Sequence, residues 1–229
     1  MSKTPATSDS APAGDEAPAV RLAEFREAML ASVPFHGWSD AAMRHAARSL
    51  GLDEEFGHVL YPGGIPEFIQ EWQDAVDLAL LQRLPPERLA GMRIRDRIRS
   101  LVMTRLELLV AHREAVRQLV ARGLLPAHAP EMAQLVWRSV DRMWRAAGDR
   151  ATDINYYTKR TILAGIWSAT LLVWLDDRDE TFAETRAFLD RRIDGVMRFE
   201  KWKAEWRKGR ENLPSLARFL GRLRYPPAA

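Results

Sequence analysis

The chain contains no cysteine. Disulfides, thiolate nucleophiles and zinc–cysteine sites are therefore excluded together. It also lacks a Gly-x-Gly-x-x-Gly, a P-loop and a Gly-x-Ser-x-Gly sequence, so the local signatures of dinucleotide binding, phosphate cradling and a nucleophile elbow are missing. The histidines, His36, His45, His58, His112 and His128, include no i, i+4 pair. One Glu-x-x-His is present, Glu55 to His58, whereas a di-iron bundle needs two such pairs and two further carboxylates. No catalytic set, metal site or cofactor site is expected. Alternating β-branched runs long enough for a sheet are absent too. The charge-free run at residues 161–175 has 15 residues, short of the roughly 20 that span a bilayer.

What is present is helical. Of the 229 residues, 47% are hydrophobic, with eight Trp, which is ample for one large core. Apolar residues recur at helical spacing from Val20 onward. The first helix stops near Pro34 and Gly37. Ser39 caps a second, which ends at Gly51. Residues 53–59 make a short third. Residues 65–84, a helix of about five turns from Ile94, residues 132–147, 153–175 and 179 to about 206 follow, with Pro-Pro at 85–86 and prolines at 126 and 130 as punctuation. The expected architecture is all-α, with about nine to ten helices. Residues 1–19, rich in Ala, Pro, Ser and Thr, read as a disordered tail. They have neither the apolar core of a secretory signal nor the arginines of a transit peptide, which points to a bacterial cytoplasmic protein. The main domain spans 20–206.

Net charge is only +3, but nine basic residues face three acidic ones between 198 and 224, a local +6 against −3 for the remainder. Within that region, Leu213, Leu216, Leu220 and Leu223 fall on one helical stripe with Phe219 at its edge, and Arg218 and Arg222 lie opposite. A cationic flank beside an apolar face suits an anionic membrane surface. Residues 207–229 are thus expected to form an amphipathic membrane-binding helix, peripheral to the inner membrane. A helix docked on the body or on a partner would have the same pattern.

The cluster Asp153-Ile-Asn-Tyr-Tyr-Thr-Lys-Arg160 runs directly into the charge-free segment, which reads as a buried helix with a wet, aromatic leading edge. Trp137, Trp144, Ile162, Ile166, Trp167, Leu171 and Trp174 recur at helical spacings around it. They form either an ordinary core or the wall of a cavity for an apolar ligand, since bundles build ligand sites from facing side chains.

Two resemblances follow. The N-terminal helices, with Tyr61-Pro-Gly-Gly-Ile-Pro-Glu-Phe68 after them, resemble the opening of a TetR-type regulator. The helix that should read DNA carries Asp53, Glu54 and Glu55, which oppose a polyanion. The helix-turn-helix is therefore degenerate and no nucleic acid is expected, although a ligand-sensing transcription regulator stays open as the alternative. The second resemblance is longer. Met143-Trp-Arg-Ala-Ala-Gly-Asp-Arg-Ala-Thr-Asp-Ile-Asn-Tyr-Tyr-Thr-Lys-Arg160, Phe188-Leu-Asp-Arg-Arg-Ile-Asp-Gly-Val-Met197 and Pro34-Phe-His-Gly-Trp38 are similar to the family of the ninth COQ protein, the accessory lipid-binding factor of coenzyme Q (ubiquinone) biosynthesis. That resemblance implies a TetR-like fold, a homodimer and no catalysis. It also implies an isoprenoid or quinone lipid in a hydrophobic pocket, a membrane-associating terminal helix, and presentation of a quinone precursor to the di-iron demethoxyubiquinone hydroxylase. The family's partner-binding patch maps onto Met143, Asp153, Tyr156 and Tyr157.

Overall fold

A computed structural model describes residues 16–150 and 154–211, with side chains over 21–150 and 155–198. The described residues form ten α-helices and one 3₁₀ turn, with no strand. In chain order the helices are α1 (Glu16–His36), α2 (Asp40–Ser49), α3 (Phe56–Leu60), α4 (Ile65–Arg83), α5 (Pro86–Ala90), α6 (Ile94–Leu108), α7 (Arg113–Gly123), α8 (Ala129–Ala146), α9 (Ile154–Asp176) and α10 (Ala183–Glu211). The 3₁₀ turn, Val110–His112, separates α6 from α7.

Local chemistry explains most boundaries. Ser39 is extended and its hydroxyl accepts from the Ala42 amide at 3.4 Å, capping α2. Gly37 and Gly51, with φ of +66° and +68°, take the left-handed conformation after α1 and α2 that a side chain would strain. Pro130 falls in the first turn of α8 and does not precede the helix, because an N-terminal proline lacks only an amide that has no helical partner anyway. α1 begins at Glu16, four residues before the expected Val20, and α10 runs unbroken past position 206. The break after Leu108, the separate α7 and the short α5 were not anticipated from periodicity. The apolar spacing of α6 continues into α7, and the 3₁₀ turn lies between them.

The described residues fall into two compact units, one ending at Asp176 and one beginning at Asp177. In the first, α1 packs on α2 and α7, α4 on α6 and α8, and α8 on α9. Its core includes Phe25, Met29, Phe68, Trp72, Leu101, Leu106, Val140, Trp167 and Trp174, all buried. α3 lies so close to α2 that a Cβ on Gly57 would stand 2.2 Å from Met43 Cγ. In the second unit, Asp177 caps the start of α10: its carboxylate accepts from the Thr185 amide at 2.9 Å and the Thr185 hydroxyl at 2.7 Å. The amphipathic segment expected at 213–224, with Leu213, Leu216, Arg218, Phe219, Leu220, Arg222 and Leu223, lies outside the described residues.

Two sequence expectations change here. The recognition-type helix α3 has five residues, and Asp53, Glu54 and Glu55 before it are exposed. The charge-free helix α9 is buried on one side only. Leu163, Trp167, Thr170 and Trp174 face inward, whereas Gly165, Ser168 and Leu172 are open, Leu172 by 54%. Lack of charge permits burial without requiring it, and small and hydroxyl side chains tolerate water.

Candidate functional site: an interhelical cavity beside an aromatic patch

The inward faces of α6, α7, α8 and α9 meet around a small cavity. Leu109, Val116, Leu119, Leu135 and Leu171 supply much of its apolar wall, and Gln73, Arg105 and Ser139 supply a polar end beside the Trp167 ring. Its volume is about 40 Å³, room for two or three waters. Drug-sized ligands occupy sites of about 300 to 1,000 Å³, so the cavity is too small for one in this conformation.

Arg105 dominates the polar end. It is 1% exposed, and a buried charge is tolerable only when paired and hydrogen-bonded. Its Nε donates to Asp77 Oδ1 at 2.8 Å. Its Nη2 donates to Gln73 Oε1 at 2.7 Å and to Ser139 Oγ at 2.9 Å. The guanidinium carbon stands 4.8 Å from the Trp167 ring centre, a cation–π contact. The other oxygen of Asp77 accepts from Arg142 at 2.8 Å, and Arg142 also pairs with Asp74 at 2.6 Å. Two arginines and two aspartates thus form one network of zero formal charge. Sequence reasoning passed over it, yet a signal was present: Ile98, Val102, Arg105 and Leu109 share one face of α6, and Ile69, Trp72, Val76, Asp77 and Leu80 share one face of α4. Opposite charges on two inward faces imply a buried pair.

A second arrangement sits where α8 meets α9. Trp137, Tyr156 and Tyr157 form a ring cluster. Trp137 stacks on Tyr157 at 6.2 Å between centroids, and the tyrosines meet edge to face at 5.0 Å. Asp141 anchors it by accepting from Arg160 Nε at 2.6 Å, Arg145 Nε at 2.7 Å and the Tyr156 hydroxyl at 3.0 Å. Burial pushes the Asp141 carboxyl upward, but hydrogen bonds from Arg160, Tyr156 and Arg145 outweigh it and hold the group below the usual range. Arg160 is buried, also donates to Asp149 at 3.1 Å, and lies 3.4 Å from the Tyr156 ring centre. Lys159 pairs with the same carboxylate at 2.7 Å and lies 5.7 Å from the Trp144 ring centre. The charges beneath the rings thus fix their orientation. Tyr157 is left 61% exposed.

The residues expected for the two roles separate accordingly. Of the proposed lipid-binding set, Trp167 and Leu171 line the cavity. Trp137 joins the tyrosine cluster, and the Trp144 indole donates to the Lys159 carbonyl at 3.0 Å. Trp174 is buried against the Arg113 guanidinium, Ile166 is buried and Ile162 half-buried. Of the partner-binding set, Tyr156 is half-buried and Tyr157 reaches solvent, whereas Met143 has no exposure and presents no surface to a partner. Asp153 lies outside the described residues. Among the described residues no group of three or more His, Asp or Glu side chains is placed to hold a metal ion, and no helix is long and apolar enough to cross a membrane.

Comparison with known proteins converges on one family. The COQ9 family profile matches residues 129–200, which contain both α8 and α9. The mitochondrial ubiquinone biosynthesis protein COQ9 of Rattus norvegicus is 36% identical over 176 residues, covering 74% of this chain and 56% of that protein. The Homo sapiens protein of the same name is 34% identical, with 74% and 55% covered. The chain therefore spans little more than half the length of these relatives. Among solved structures, a TetR transcriptional regulator from Nitrosomonas europaea superposes with a TM-score of 0.62 at 21% identity, over 76% of this chain and 97% of that one. The fold is TetR-like.

Proposed function

The chain is a relative of the COQ9 proteins over 74% of its length, and we propose that it serves ubiquinone biosynthesis as a non-enzymatic carrier that holds a polyprenyl quinone intermediate between its helices and presents it to the di-iron demethoxyubiquinone hydroxylase. The observation that carries this reading is the adjacency of two features on α8 and α9: an apolar cavity with one polar end, and an exposed aromatic patch held by ion pairs from below. The cavity supplies a site for a lipid, and the patch supplies a docking surface. Each buried CH₂ of a polyprenyl chain contributes about 0.8 kcal/mol, so the apolar wall alone favours such a guest once the helices part.

Tyr157 is the contact for the hydroxylase, because an exposed, preoriented tyrosine adds large area at low entropy cost. The uncharged open face of α9, with Gly165, Ser168 and Leu172, suits a second copy of the chain. Residues 213–224 rest on the membrane and bring the cavity near its lipid. Deleting residues 212–229, which leaves α10 whole, is expected to abolish flotation with anionic liposomes, and undiminished flotation would remove the membrane role. The decisive test is to purify the protein natively, extract it with organic solvent and identify what co-purified by mass spectrometry. A polyprenyl benzoquinone or its precursor is expected, and an extract with only bulk phospholipid counts against the reading.

A TetR-type, DNA-binding regulator would share the fold. Against it stand the five residues of α3 and the three exposed carboxylates ahead of it, since groove reading needs donors and cations there. A salt-sensitive gel shift on its own promoter would restore it.

A further inference from the structure

The polar end of the cavity offers donors in excess of acceptors. Arg105 uses Nε and both hydrogens of Nη2 on Asp77, Gln73 and Ser139, while the two Nη1 hydrogens meet no acceptor among the described residues. Ser139, 3% exposed, accepts from Arg105, and its own hydroxyl hydrogen likewise has no acceptor among them. An arginine has five N–H donors and no acceptor, and a hydroxyl has one donor. Arg105 Nη1 is not among the fully buried polar atoms that lack a partner, so it opens onto the cavity, and a ligand atom that only accepts suits this end. The electrostatics narrow the choice further. Arg105 and Arg142 are already balanced by Asp77 and Asp74, so an anion entering the cavity would bring an unmatched charge into a low-dielectric space, whereas a neutral oxygen would not. Beside the donors lies the Trp167 ring, which lines the same cavity with the Arg105 guanidinium over one face, and an aromatic wall favours a second ring beside it.

Resting on the reading of this cavity as a lipid site, we propose that Arg105 and Ser139 form a head-group subsite that accepts the neutral carbonyl oxygen of a quinone-type ring and discriminates against fatty carboxylates and plain hydrocarbons. The space beside them, two or three waters in size, is where that oxygen seats. The ring then lies along Trp167, and the tail runs past Leu171, Leu135 and Leu119.

The test uses the full chain and three probes, each with a ten-carbon chain, in equilibrium dialysis: 6-decyl-2,3-dimethoxy-5-methyl-1,4-benzoquinone, decylbenzene and decanoate. The wild type is expected to bind the benzoquinone about tenfold or more tighter than either comparator. Arg105→Lys keeps a cation for Asp77 and removes the Nη1 donors. It is expected to lose that factor for the benzoquinone and to bind decylbenzene as before. If Arg105→Lys melts early, Ser139→Ala carries the test with the same sign and a smaller factor. Equal wild-type affinity for benzoquinone and decylbenzene, a preference for decanoate, or parallel loss of both neutral probes in the variant would overturn the subsite while leaving the cavity a lipid site. Failure of all three probes to bind the wild type would overturn the cavity reading and the subsite together.

Discussion

The cavity end and the tyrosine patch are built from the same parts, an arginine over an aromatic ring with aspartates behind it, yet they differ in what faces water. At the cavity, the guanidinium of Arg105 and the Trp167 ring are both buried, and the spare donors face the cavity. At the patch, Arg160 is buried while the rings it orients run outward to Tyr157. The lesson is one of coupling. Where charge and ring are both dry, the interaction is inseparable from stability, because removing one partner strands the other without solvent. Where the ring is wet, orientation and stability come apart, and the exposed side chain is free to serve a partner.

That contrast can be broken or sharpened by experiment. The largest effect is expected at the cavity network. Asp77→Ala leaves Arg105 buried beside Gln73 and Ser139 without its counter-charge, and is expected to destabilise the fold by about 3–5 kcal/mol in urea titration. A loss under 1 kcal/mol would show that water reaches Arg105, and the two regions would then be alike. Next comes Tyr157→Ala. Truncating an exposed aromatic anchor is expected to weaken binding to the proposed hydroxylase partner by about 2 kcal/mol, roughly thirtyfold in Kd, while stability falls by no more than about 1 kcal/mol, the value of one ring pair. Early melting with unchanged affinity would make Tyr157 a packing residue. The smallest effect is in acid. The Asp141 carboxyl is held below its ordinary range by Arg160, Tyr156 and Arg145 despite burial, so its contribution is complete above the unfolded value near 3.9 and declines as pH falls through the lower folded value. Asp141→Asn should flatten stability between pH 5 and pH 2 relative to the wild type, and an identical profile would remove Asp141 as the anchor.

The residues that could be placed from sequence and those that could not differ in kind. Ser39, Gly37 and Gly51 mark their helix ends through chemistry within a few residues, and the structure places them there. The Tyr156-Tyr157 pair stands out as polar-aromatic before an uncharged helix, and the structure leaves it at the surface in part because Arg160, four residues on, binds Asp141 on the neighbouring helix. Periodicity grouped Trp137, Trp144, Trp167 and Trp174 together, but the tertiary packing sent Trp137 to the patch and Trp167 to the cavity. A helix of 3.6 residues per turn shows which side chains share a face. It does not show which other face they meet.

By itself, then, the amino-acid order determined an all-α fold over the described residues, its helix caps, three carboxylates clustered ahead of α3, and a signature that links it to COQ9 proteins. Those properties are local or additive along the chain, so composition and spacing carry them. Only the tertiary structure decided that Arg105 from α6, Asp77 and Gln73 from α4, and Ser139 from α8 converge on one cavity beside Trp167. Such convergence depends on how α4, α6 and α8 pack on one another, which is set by contacts between segments distant in the chain.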